Sequence, residues 1–90
     1  LNAVKEVEDA AVAVSTYHDE YQATLRQIKA AGNATRLSRA RYDEGHTSYL
    51  EVLQVERSFF RAETTAAAAR ENYLNSIISL YGALGGGWKK

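Results

Sequence analysis

No methionine, cysteine or proline occurs anywhere in the 90 residues. Without cysteine there is no disulfide scaffold and no thiolate metal site. Without proline the chain lacks the residue that most sharply interrupts helices, so long unbroken ones are allowed. Without methionine, and with Leu1 at its start, the chain is expected to be a segment cut from a longer protein. A surplus of one charge is missing too. Eleven Lys and Arg stand against eleven Asp and Glu, a formal net charge of zero. Nucleic-acid binders usually carry a basic surplus that displaces counterions, so nucleic acid is not an expected partner. No apolar run approaches the roughly 20 residues that cross a bilayer as a helix. The longest candidate, Ile77 to Leu84, is interrupted by Ser79 and Gly82. One domain with a small core is the upper bound.

What is present is rich in Ala, Glu, Arg, Gln and Leu, all good helix formers. Of the six glycines only Gly32 falls in the middle of a long segment; the others are Gly45 and, near the C-terminus, Gly82, Gly85, Gly86 and Gly87. The pattern predicts an all-α fold, an antiparallel two-helix coiled-coil hairpin with helices over about 2–43 and 48–84. Its tip lies at 43–48, and a Gly-rich tail occupies 85–90.

In the first segment Val7, Val14, Tyr21, Ile28, Thr35 and Tyr42 recur every seven residues. Val4, Ala11, His18, Leu25, Gly32 and Arg39 are expected to form the second row of the same seam. At 1.5 Å per residue such a helix is roughly 60 Å long and needs a partner along its length. In the second segment Leu53, Phe60, Ala67, Leu74 and Tyr81 make one row, and Val52, Phe59, Ala66, Tyr73 and Leu80 the next. Val55, Ala62, Ala69, Ser76 and Ala83 widen the face further. That stripe is broader than a two-stranded coiled coil needs. The small residues Ala66 to Ala69 allow close approach, so more than one neighbour is expected in the parent protein.

The break reads Asp43-Glu44-Gly45-His46-Thr47-Ser48. Gly45 suits the left-handed conformation that closes a helix C-terminus. Ser48 followed by Glu51 has the spacing of a capping box. Tyr42 and Tyr49 flank the bend, where their hydroxyls are expected to knit the tip. A connection this short between long helices makes a hairpin.

No catalytic set, cofactor or metal site emerges. His18 and His46 lie on different elements, and the acids beside His18 point away from it on a helix. His46 with Asp43 and Glu44 reads as a solvated turn. Arg36, Arg39 and Arg41 spread over more than one helix face and are followed directly by Asp43 and Glu44. Glu6, Glu8 and Asp9 fit the first turns of a helix, where the dipole favours acids.

The bend from Arg41-Tyr42 through Gly45 and Ser48 to Glu51-Val52-Leu53 resembles the R-Y-x-x-G-x-x-S/T-x-x-D/E-V-L signature of the outer-membrane efflux proteins, the TolC family. Gln54-Val55-Glu56-Arg57-Ser58 is similar to its D-A-E/Q-R-S continuation. Val4-Lys5-Glu6-Val7-Glu8-Asp9-Ala10 resembles its E-V-E-D-A-L segment, and Leu80-Tyr81-Gly82-Ala83-Leu84-Gly85-Gly86-Gly87-Trp88 its L-Y-K-A-L-G-G-G-W terminus. Together these motifs cover nearly the whole chain in order.

The resemblance implies a homotrimer with a β-barrel in the outer membrane and an α-helical tunnel through the periplasm of a Gram-negative bacterium. The chain would be the second helical hairpin of the tunnel. Its partners would be a periplasmic adaptor (membrane-fusion) protein and, through it, an inner-membrane pump. No cofactor and no catalytic activity are implied. Residue by residue, Tyr42, Gly45, Thr47 and Ser48 would form the adaptor-docking tip. Arg41, Tyr42, Leu50, Glu51 and Gln54 would form the pore-mouth gate, with Arg41 and Tyr42 linking adjacent hairpins. Gln54 departs from the family's common Asp, which leaves Glu51 as the expected source of charge at the mouth. A free-standing coiled-coil interaction module is the alternative; it accounts for the heptads but not for the tip motif or for Leu84-Gly85-Gly86-Gly87-Trp88. An adaptor protein is a third reading, disfavoured because no β-segments flank the helices. By itself the chain is expected to self-associate.

Overall fold

A computed structural model describes residues 3–88, with the side chains of residues 4–85. Two helices account for almost all of it. α1 spans Ala3–Asp43 and α2 spans Tyr49–Trp88, and the described residues contain no strand. The all-α, two-helix expectation holds. Glu6 in the first turn of α1 and Arg41 in its last turn both complement the helix dipole.

One boundary differs. The sequence pattern predicts that α2 stops at Leu84, but its helical backbone continues through Gly85, Gly86 and Gly87 to Trp88. Glycine weakens a helix by up to about 1 kcal/mol relative to alanine, yet it still supplies the N–H and C=O of the ladder. A glycine run therefore permits a helix to end without forcing it to. Residues 89–90 of the expected tail and the packing of the Trp88 ring lie outside what is described, as does Asn2.

The chain divides into two compact units, each holding part of both helices. In the tip unit, residues 23–67, α1 and α2 run antiparallel on either side of the turn. Val52 is the most deeply buried large side chain, 1% exposed, and Ala66 is buried as well. Val55, Phe59 and Ala62 are half-buried on the same face of α2. From α1 the unit buries Thr24 and Ser38, with Ile28, Ala31 and Thr35 half-buried between them. The Phe59 ring lies against Gly32, where an added Cβ would stand 3.6 Å from Cε1.

In the other unit, residues up to 22 and from 68, α1 contributes Val7, Ala10, Val14, Tyr17 and Tyr21, all half-buried. α2 contributes Ala69, Tyr73, the buried Ser76, Leu80 and Ala83. Tyr73 is the centre of its ring packing. Its centroid lies 5.4 Å from His18, edge to face, and 6.1 Å from Tyr21, stacked.

The heptad period is legible in the sequence, but its phase differs on α1, and on α2 two of the three expected rows face inward. On α1 the row from Val7 to Thr35 faces inward as expected. Its companion is Ala10, Tyr17, Thr24, Ala31 and Ser38, not the row of Val4, Ala11, His18, Leu25, Gly32 and Arg39, which is exposed except at the half-buried Gly32. On α2 the row of Leu53, Phe60, Ala67, Leu74 and Tyr81 is exposed throughout, with Phe60 and Tyr81 each 68% accessible. The inward face uses the other two rows. Across both helices the buried side chains are small, three of them hydroxyl-bearing (Thr24 and Ser38 of α1, Ser76 of α2), because small residues let two helix axes approach closely. Ser76 Oγ donates to the Tyr73 carbonyl at 2.6 Å, and Thr35 Oγ1 to the Ala31 carbonyl at 3.0 Å. Ser38 Oγ, on a residue 4% exposed, has no hydrogen-bond partner.

Candidate functional site

The turn is built from hydrogen bonds that the local sequence makes possible. The His46 amide donates to the Arg41 carbonyl at 2.8 Å and the Gly45 amide to the Tyr42 carbonyl at 2.9 Å. Gly45 sits at φ +80. That pair of bonds around a left-handed glycine is the Schellman closure of a helix C-terminus. Gly45 is the described glycine with positive φ, and the space around its Cβ position is open. Backbone conformation, not crowding, therefore selects glycine there.

α2 begins with half of the expected capping box. The Glu51 amide donates to Ser48 Oγ at 3.2 Å, which satisfies one orphan N–H of the first turn. The Glu51 carboxylate does not return to the Ser48 amide. It faces α1 and pairs with Arg41, Nη1 to Oε2 at 3.3 Å. The Tyr42 and Tyr49 rings pack at 5.4 Å with a 52° tilt. The tip is thus knitted by ring contact, and among the described residues neither hydroxyl is hydrogen-bonded.

A second ion pair escapes the sequence reading. Arg39 Nε donates to Glu56 Oε2 at 2.9 Å, and its Nη2 reaches the same oxygen. That hydrogen bond and the charge of Glu56 push the Arg39 pKa further above its ordinary value. Arg39 follows Ser38 and Glu56 follows Val55, so this pair borders the seam on one edge. Arg41 precedes Tyr42 and Glu51 precedes Val52, so the other pair borders it on the opposite edge. Opposite charges flanking one antiparallel seam are the available signal. The wrong phase on α1 conceals it by placing Arg39 inside the seam.

Of the expected tip set, Tyr42, Gly45, Thr47 and Ser48 all lie at or beside the turn. Thr47 is half-buried and the other three are exposed. The expected gate set divides. Arg41 and Glu51 meet each other. Leu50 and Gln54, four residues apart on one face of α2, are both exposed. His46 Nε2 lies 3.9 Å from Glu44 Oε1 at the apex. Among the described residues no group of three or more His, Asp or Glu is placed to hold a metal ion. No described helix is long and apolar enough to cross a membrane.

The family model described as outer membrane efflux protein matches residues 1–86. The chain is 41% identical to the cation efflux system protein CusC of Escherichia coli O157:H7, covering 99% of this chain and 19% of that protein. It is 37% identical to the toluene efflux pump outer membrane protein TtgF of Pseudomonas putida, over 96% of this chain and 18% of the relative. The probable efflux pump outer membrane protein SepC, from another strain of Pseudomonas putida, matches to the same extent. The chain thus spans about a fifth of the length of the curated relatives it matches. No solved structure matches it significantly.

Proposed function

The chain belongs to the outer membrane efflux protein family, and on that premise we propose that it is a periplasmic hairpin of an efflux channel whose tip docks an adaptor protein. The parent is a homotrimer in the outer membrane of a Gram-negative bacterium, and through the adaptor it works with an inner-membrane pump. The hairpin contributes to the tunnel wall and to its gated mouth. It performs no chemistry; its task is to close, open and dock.

The observation that carries this is the turn itself, set in a chain that matches the family over residues 1–86. A Schellman closure at Gly45 and a Ser48 cap confine the connection between helices of 41 and 40 residues to residues 44–48. Such a tip is small, polar and held in one conformation, which lowers the ordering cost of docking. The Tyr42 hydroxyl, without a partner among the described residues, is available to bond a neighbouring hairpin. Adaptor contacts favour the open mouth to the extent that they bind it more tightly than the closed one. Relatives named for cations and for toluene are similar to this segment to nearly the same degree. Cargo is therefore not selected here, and the hairpin serves a step common to such channels.

The chain has no cysteine of its own, which makes the test direct. In a cysteine-free full-length parent, Thr47→Cys is expected to cross-link to the co-expressed adaptor through a short thiol-to-amine reagent, whereas Ala67→Cys is not. A channel that still exports yet shows no Thr47 cross-link would sink the docking role.

A further inference from the structure

Family resemblance leads to the expectation that Arg41 links neighbouring hairpins and that Glu51 is a bare carboxylate at the mouth. The geometry points elsewhere. We propose that Arg41 sets the ion selectivity of the mouth by neutralising Glu51 within its own hairpin. This rests on the placement of Glu51 at the mouth, proposed above.

Three features hold the two charges together. The first is backbone anchoring at both ends. The Arg41 carbonyl accepts the His46 amide in the turn closure, and the Glu51 amide is tied to Ser48 Oγ in the first turn of α2. The second is the seam between them. Val52 is 1% exposed, so the register of α1 against α2 is set one residue away from Glu51. The third is the opposite edge, where Arg39 and Glu56 make a second cross-helix pair and oppose sliding in either direction. The Arg41 guanidinium therefore has a partner before any other hairpin approaches it.

The consequence is electrostatic. A lone carboxylate attracts cations over about a Debye length, roughly 8 Å at physiological salt. A carboxylate with a guanidinium 3.3 Å away presents a dipole to a passing ion, and that field decays faster with distance. Glu51 is the one ionisable acid between Tyr49 and Val55, and Gln54 adds no charge. Three hairpins would then ring the mouth with three ion pairs in place of three bare charges. Masking lets a single pore pass cargo of either charge, and Arg41 becomes a residue that determines specificity without being required to touch the cargo.

The test uses the full-length trimer in planar bilayers, with reversal potentials measured across a gradient of dilute KCl. Arg41→Gln unmasks Glu51 and is expected to raise the cation-to-anion permeability ratio by roughly tenfold. The double variant R41Q/E51Q returns it to near the wild-type ratio. Arg41→Lys keeps the ratio unchanged, as does the charge swap R41E/E51R. Merely structural damage from R41Q would not be cancelled by a second substitution at Glu51. If R41Q leaves the ratio unchanged while E51Q alone lowers it, Glu51 acts unmasked and the proposal is overturned, with its place at the mouth intact. If no variant moves the ratio, Glu51 does not lie at the mouth, and both the proposal and that part of the gate reading fall.

Discussion

Gly45 does for the turn what no other residue in the bend can do without strain. At φ +80 an L side chain is disfavoured, although nothing stands within 4 Å of where its Cβ would go. Gly45→Ala is therefore expected to cost about 1–2 kcal/mol through backbone conformation alone. Gly45→Asn should cost less, because asparagine visits the left-handed region more readily. Urea unfolding of the chain followed by circular dichroism measures both. Equal losses for the two variants would mean that the turn rearranges rather than strains. The ion pairs beside it carry less stability than their distances suggest, since both are exposed and screened by solvent. Their importance lies in where they fix charge. The raised pKa of Arg39 adds no pH dependence near neutrality. A group whose folded pKa is raised contributes fully below its unfolded value and loses that contribution only as pH rises through the folded value. For Arg39 the whole of that window lies in strong alkali.

Along each helix, the period is easy to read and the phase is not. On α2 two adjacent rows are both apolar, one with Val52, Phe59 and Leu80 and one with Leu53, Phe60 and Leu74, so hydropathy alone cannot choose between them. The third row decides. Val55, Ala62, Ala69, Ser76 and Ala83 stand three residues beyond the Val52 row and complete its seam. The same offset from Leu53 lands on Glu56, Glu63 and Arg70. On α1 Val4 and Leu25 outweigh Thr24 and Ser38 in hydropathy, yet the structure buries the latter because close helix approach rewards small volume. The backbone closure of the turn, by contrast, is legible, since its chemistry is local: one glycine, one hydroxyl, fixed spacings; the partners of the Glu51 carboxylate and of the Tyr42 and Tyr49 side chains are not. Cross-helix pairing such as Arg39 with Glu56 depends on phase and inherits its error. The correction is testable on neighbouring residues of nearly equal hydrophobicity. Val52→Ala should destabilise the chain by about 2 kcal/mol through lost burial and the cavity left behind. Leu53→Ala should stay within about 0.5 kcal/mol, as exposed substitutions usually do. The reverse order in thermal or urea unfolding would restore the Leu53 row to the seam.

At the scale of the molecule the outward row of α2 is the feature that the chain's own fold does not explain. Leu53 and Phe60 in the tip unit, and Leu74 and Tyr81 in the other, are exposed to solvent although their seven-residue spacing is that of a packed face. Fully burying an exposed side chain is worth about 1.5–3 kcal/mol, so covering the remaining exposed surface of several in a row gives a drive toward association. In the parent, as proposed, neighbouring hairpins cover this row. In the isolated chain the available cover is a second copy, and a formal net charge of zero puts no long-range repulsion in its way. Sedimentation equilibrium should therefore show an average mass above the 10.0 kDa of one chain, rising with concentration. Because the drive is apolar, added salt should leave the association intact or strengthen it, whereas an assembly held by ion pairs would loosen. Phe60→Glu and Tyr81→Glu, which place charge on the row without touching the seam, should return the mass toward that of a monomer while helicity is kept. A wild-type chain that stays monomeric at every concentration would mean that this row is tolerated in water, and the wide apolar face of α2 would then say nothing about neighbours.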